Sequence, residues 1–163
     1  MKSFFCFTYL ILIFATCARG MTIDEAVTLF LKGETISEEE ADKVSGRHQA
    51  AAEANGINND GSLYLNSVKM SVISPVRHGG WPYRSSLMDN EREQRKTYNE
   101  LKAIYEKNPT PMVAYALVCP AMFVNDFKIL PELFKKIGEN PYLKTHFDQV
   151  YAKQWKPRLD PDF

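Results

Sequence analysis

The segment Arg77-His78-Gly79-Gly80-Trp81-Pro82-Tyr83-Arg84 gathers two guanidinium groups, an imidazole and two amphipathic aromatic rings between glycines and a proline. Arginine grips oxyanions with a planar fork of donors, and histidine changes charge near neutral pH. Trp, Tyr and Arg are also the residue types that carry most of the binding energy at interfaces. Two functional readings follow. In the first, Arg77, Trp81, Tyr83 and Arg84 form a recognition surface for another macromolecule. In the second, Arg77 and His78 belong to a hydrolase or phosphotransferase site. A plainer reading makes the segment a long connection pinned to the core by one tryptophan.

The second reading rests on a short motif. Val76-Arg77-His78-Gly79 resembles the histidine phosphatases, in which a strand ends in Arg-His-Gly. The resemblance implies that His78 would take the phosphoryl group and Arg77 would hold its oxygens. His146, in His146-Phe147-Asp148, would stand in for the second catalytic histidine. The chain departs from that pattern at Trp81 and Tyr83, where one branch has Arg and Pro, and at Gly80, where another has an acid. The residues after Gly79 also read as helices and not as the strands of a parallel sheet. His78 and His146 are therefore the candidate catalytic residues of the alternative, and non-enzymatic binding is the favoured function.

Other reactive side chains have structural explanations. Cys119 lies in the most apolar stretch of the chain, where a thiol behaves as a small hydrophobe, and no base lies near it in sequence. His48 and His146 fall on helical patterns, where a surface or satisfied core position is the default. The acidic run Glu38 to Glu40 suits the first turn of a helix, where the dipole favours negative charge. Asn58, Asp60 and Gly61 imitate part of a calcium loop, but Gly56 and Ser67 stand where the first and last ligands belong. The sequence thus predicts no metal site and no cofactor.

The first twenty residues explain the intended destination. Lys2 is followed by a nearly unbroken apolar run from Phe4 to Phe14, and Ala18-Arg19-Gly20 offers small residues at a cleavage site. The run is shorter than the roughly 20 apolar residues a membrane span needs. Residues 1–20 read as a cleaved signal peptide of a secreted or periplasmic protein, without a stable membrane span. A lipid anchor at Cys17 and an internal start at Met21 are the rival readings.

Removing residues 1–20 from the 163 leaves 143, the size of one domain. That part carries 18 Lys+Arg against 20 Asp+Glu, a formal −2, which argues against a nucleic-acid partner; the partner expected from the 77–84 segment is another protein. It also keeps Cys119 alone, so no internal disulfide can form and stability must come from packing.

The elements that would position these residues are helices. Thr22-Ile23-Asp24-Glu25 is a capping box, Ile23, Ala26, Val27, Phe30 and Leu31 share one helical face, and Gly33 ends the element. Ser37 opens a second helix toward Asn55-Gly56, with Ala41, Val44, Ala51 and Ala52 as its small buried side; the two predict an αα-hairpin. Residues 62–76 fit a helix, with a small β-hairpin as the alternative. A fourth helix begins near Met88 or Asp89 and runs to Lys107, polar in its first half.

Beyond it, Pro109, Pro120, Pro131 and Pro141 divide a strongly apolar region into short helices, among whose packing residues are Phe127, Ile129, Leu130, Leu133, Phe134 and Ile137. Leu101, Tyr105 and Asn108-Pro109 return 32 positions later as Leu133, Ile137 and Asn140-Pro141. These roughly 55 residues resemble tetratricopeptide-type helical repeats, although Lys136 and Pro120 depart from that pattern and Asn-Pro is in any case a common way to stop one helix and start another. The fold expected is mainly α: a signal at 1–20, one helical domain at 21–155 and a non-helical tail at 156–163.

Overall fold

The computed structural model describes residues 20–54, 61–73 and 91–154. The protein is mainly helical, with α1 at Ile23–Leu31, α2 at Glu38–Ala54, α3 at Gly61–Ile73, α4 at Glu91–Lys107, α5 at Pro111–Phe123, α6 at Leu130–Ile137 and α7 at Pro141–Gln154. A single 3₁₀ turn, Phe127–Ile129, leads into α6. Among the described residues there is no strand, and no helix is long and apolar enough to cross a membrane.

Local chemistry sets the helix ends. The backbone N–H of Thr22 donates to Glu25 Oε2 at 2.7 Å and the Glu25 N–H donates to Thr22 Oγ1 at 3.2 Å, the reciprocal box that the sequence predicts. Alpha1 closes in a Schellman motif: the Glu34 N–H reaches Leu29 O at 3.0 Å, Gly33 N–H reaches Phe30 O at 2.9 Å, and Gly33 takes φ +79°. Alpha5 ends the same way, with the Asp126 N–H on Ala121 O and the Asn125 N–H on Met122 O, and Asn125 fills the left-handed position at φ 62°. Asn is the side chain other than Gly that tolerates this conformation best, so a stop with no glycine in it is still a designed one.

Helix α5 is the centre of the molecule. Every residue from Met112 to Met122 is buried, and the helix packs broadly on α4 and α6 and more narrowly on α3 and α7. Such a helix has no polar face because it meets protein on all sides. Pro120 does not divide it. The helix continues to Phe123, and Pro120 itself is enclosed. The expectation that Pro120 bends or restarts the element is corrected, since packing from several sides holds the last turn where propensity alone would break it.

Residues 61–73 are helical, which settles the 62–76 alternative against a β-hairpin over the described part of that range. Tyr64, Leu65, Val68, Met70, Val72 and Ile73 are all buried. The start of α3 lies hard against α4: the Gly61 N–H donates to Glu100 Oε2 at 2.5 Å, and a Cβ on Gly61 would stand 2.9 Å from Glu100 Cβ. Only glycine permits that approach.

The expected N-terminal helix pair forms, while one core assignment is revised. Alpha1 and α2 touch, with Ala41 and Val44 buried, but α1 finds its wider contact on α3. Phe127 was expected in the core and is 49% exposed, because it opens the 3₁₀ turn and the chain is already held there by Asp126. The repeat-like spacing does place Leu101 and Leu133 at equivalent buried positions. Yet α4 and α5 pack broadly whereas α6 and α7 meet over a narrow strip, so the two helix pairs are not copies of one unit. Their caps also differ: Thr110 Oγ1 caps α5, and Asn140 Oδ1 caps α7 while its Nδ2 donates to Leu31 O at 2.8 Å.

Buried polar groups divide into satisfied and unsatisfied. Tyr98 donates to Asp126 and Tyr105 to Glu132 at 3.0 Å, so two tyrosines of α4 staple the approach to α6. Thr97 on the same helix is fully buried with no hydrogen bond to its hydroxyl. Thr97→Val removes that orphan and keeps the shape. It is expected to leave stability unchanged or raise it by up to about 1 kcal/mol, read as a shift of the denaturant midpoint at constant m.

Candidate functional site

Arg77, His78, Trp81, Tyr83 and Arg84 lie outside the described residues. Their flanks are placed: α3 ends at Ile73, α4 begins at Glu91, and the two helices pack on each other. The first turns of α4 are charged, with Glu91, Arg92, Arg95 and Lys96 exposed and an Arg95–Glu91 ion pair at 3.0 Å. An exposed pair of this kind is worth a few tenths of a kcal/mol, so this end of α4 is a solvated face.

His146, the other candidate catalytic residue, sits on α7 in a crevice between α1 and α5. Its Nδ1 is 3.1 Å from the Tyr115 hydroxyl. Its ring meets Phe30 edge to face with centroids 6.1 Å apart and lies 5.8 Å from the Tyr115 ring. Tyr115 in turn packs edge to face on Phe147, and the Phe147 ring lies tilted against Phe134 with centroids 5.4 Å apart. Aromatic contacts thus join α1, α5, α6 and α7 around one histidine. Burial pushes the His146 imidazolium below its ordinary pKa, because a charge there gives up its hydration.

The polar line continues inward. Tyr115 precedes Cys119 by one helical turn, so both side chains share a face of α5. Tyr64, from α3, brings its hydroxyl beside the Cys119 thiol without forming a well-aligned hydrogen bond. Tyr64 and Tyr115 are 0% exposed and Cys119 is buried. Burial raises the pKa of both phenols, so each stays protonated at neutral pH. Three helices, α3, α5 and α7, therefore contribute to a line of neutral, weakly polar groups: Tyr64, Cys119, Tyr115 and His146. Chemically, the Tyr115–His146 end can hold a hydrogen bond, while the depth of Cys119 keeps the thiol away from solvent.

Sequence spacing could have paired Tyr115 with Cys119, since an i, i+4 relation is legible along one helix. It could not have paired Tyr115 with His146, which depends on how α7 folds back.

Two hollows lie on the described surface. One of about 320 Å³ is lined by Gly20 to Ile23, Val44, Arg47 and His48, and the Arg47 guanidinium donates to Met21 O at 2.6 Å across it. The other, about 250 Å³, lies among Phe134, Phe147 and the Lys144–Asp148 ion pair. Among the described residues no group of three or more His, Cys, Asp or Glu side chains is arranged to hold a metal ion.

Comparison with known proteins finds no family model, no curated protein and no solved structure that matches the chain.

Proposed function

We propose that this is an exported helical protein that binds another protein, without turnover, through Arg77, Trp81, Tyr83 and Arg84. The observation that carries the reading is the division of labour along the chain. Cys119, Tyr115 and Tyr64 are spent inside the packing, and His146 is committed to Tyr115 and Phe30. The two arginines and two aromatics of 77–84 lie in the sequence between α3 and α4, and those two helices pack on each other. A binding segment on a rigid scaffold loses less conformational entropy when it engages its partner.

The cleavage point expected from the sequence lies next to anchored residues. Met21 packs against the core, its carbonyl accepts from Arg47, and Thr22 caps α1. Cleavage after Gly20 would release a domain whose first residue is already anchored.

Two measurements test these statements. The mass of the protein recovered from its own exported fraction should correspond to a chain starting at Met21. An acylated Cys17 would instead make it a tethered lipoprotein. With p-nitrophenyl phosphate as probe, His78→Ala should behave as wild type. A phosphatase activity that disappears in His78→Ala would replace the binding reading with phosphoryl transfer.

A further inference from the structure

The crevice around His146 has a property that the binding reading does not use. Alpha7 touches α1, α5 and α6 each over a narrow strip, whereas α4, α5 and α6 are joined by broad contacts. Among the described residues its attachment uses Leu143, Phe147 and Val150 in the core, the Asn140 bridge to Leu31 O, Tyr142 against Gly33, and the His146 ring. We propose that α7 is an acid-released latch: protonation of His146, wedged between Phe30 of α1 and Tyr115 of α5, frees Pro141–Gln154 while α3, α4, α5 and α6 stay packed.

The physical steps are few. With the ring neutral and its hydrogen on Nε2, Nδ1 can accept from the Tyr115 hydroxyl 3.1 Å away. When the ring takes a second proton from solvent, Nδ1 carries hydrogen and can no longer accept. Tyr115 must then turn its own hydrogen back into the core, toward the Cys119 sulfur, which is a weak acceptor.

Among the described residues the new charge meets little that can stabilise it. Alpha1 faces it with the Phe30 ring and α5 with the phenol of Tyr115, which burial keeps un-ionised. On α6, Phe134 reaches Phe147. On α7 itself the nearest charges, Lys144 and Asp148, pair with each other at 2.5 Å on the exposed side. The charged ring is hydrated once α7 swings out, so acid favours the open form.

The sign follows from linkage. The open state binds the proton at the ordinary histidine pKa and the closed state binds it less readily. Closure is therefore strongest above about pH 6.5 and weakens as pH falls through that value. One proton limits the dependence to about tenfold in the opening constant per pH unit.

Hydrogen exchange on the full chain, corrected for intrinsic rates, tests the proposal between pH 7.5 and 5. Wild-type amides of α7 should lose protection as pH falls, with a slope no steeper than one proton, while α5 amides keep theirs. His146→Gln, whose side-chain oxygen can accept from Tyr115, should show the same α7 protection at both pH values. Tyr115→Phe, which leaves the histidine in place, should retain the pH dependence. The latch is overturned if α7 protection does not change with pH, if α5 and α7 lose protection together, or if the loss persists in His146→Gln. Should that variant not fold, a wild-type His146 ring titration that fails to coincide with α7 opening overturns it equally.

Discussion

Leu117→Ala should lower stability by roughly 3 kcal/mol and the melting temperature by about 10 °C. Leu117 is fully buried in the middle of α5, with packed helices around it. Removing three carbons there loses their transfer free energy and leaves a cavity that rigid helix backbones cannot close. Phe127→Ala provides the internal control. Its side chain is larger, but it is half exposed on the 3₁₀ turn, so its truncation should stay within about 0.5 kcal/mol. Equal effects for the two substitutions, measured by thermal unfolding, would mean that α5 is not the centre of the core.

The contrast between these residues shows what the sequence can and cannot reveal. Helices with one wet face were legible from end to end: the Thr22 box, the face of Ala26 and Val27 and the stop at Gly33 are all present. Alpha3 was ambiguous for a physical reason. With Val68, Met70 and Val72 all buried, its apolar residues occupy most of the circumference, and neither a period of 3.6 nor one of 2 stands out. Pro120 misled because proline is a breaker on local grounds, whereas the last turn of α5 is held by neighbours distant in sequence. Phe127 misled because apolar character fixes what a side chain prefers and not where a turn points it.

The site was legible to a smaller degree. Cys119 could be assigned to the interior from its apolar surroundings. Its neighbours could not, since Tyr64 lies 55 residues before it and His146 on a helix that folds back across α1 and α5. Local patterns carry helix ends and faces, and long-range pairings carry the polar line through the core. That asymmetry explains why the fold class emerged from composition and caps while the crevice around His146 emerged only from packing.

The second large effect concerns binding. Trp81→Ala and Arg84→Ala should each weaken the complex with the partner by about 2 kcal/mol, or roughly 30-fold in Kd, without changing the melting temperature by more than a surface substitution does. The reason is the type of residue removed. A tryptophan supplies a large rigid contact area, and an arginine supplies several donors in a fixed plane. Thr97→Val and His78→Ala, by contrast, should leave binding at the wild-type level.

The central claim is that residues 77–84 contact a protein partner after export, and it can be tested in place. A photo-crosslinking p-benzoylphenylalanine replaces Tyr83 in the full chain, and irradiation follows in the compartment to which the chain is delivered. The account predicts a discrete heavier adduct at Tyr83 that is suppressed about 30-fold by Trp81→Ala. No such adduct should form when the same group replaces Lys135, which is exposed on α6. Equal adducts at both positions, or an adduct at Tyr83 indifferent to Trp81→Ala, would contradict it.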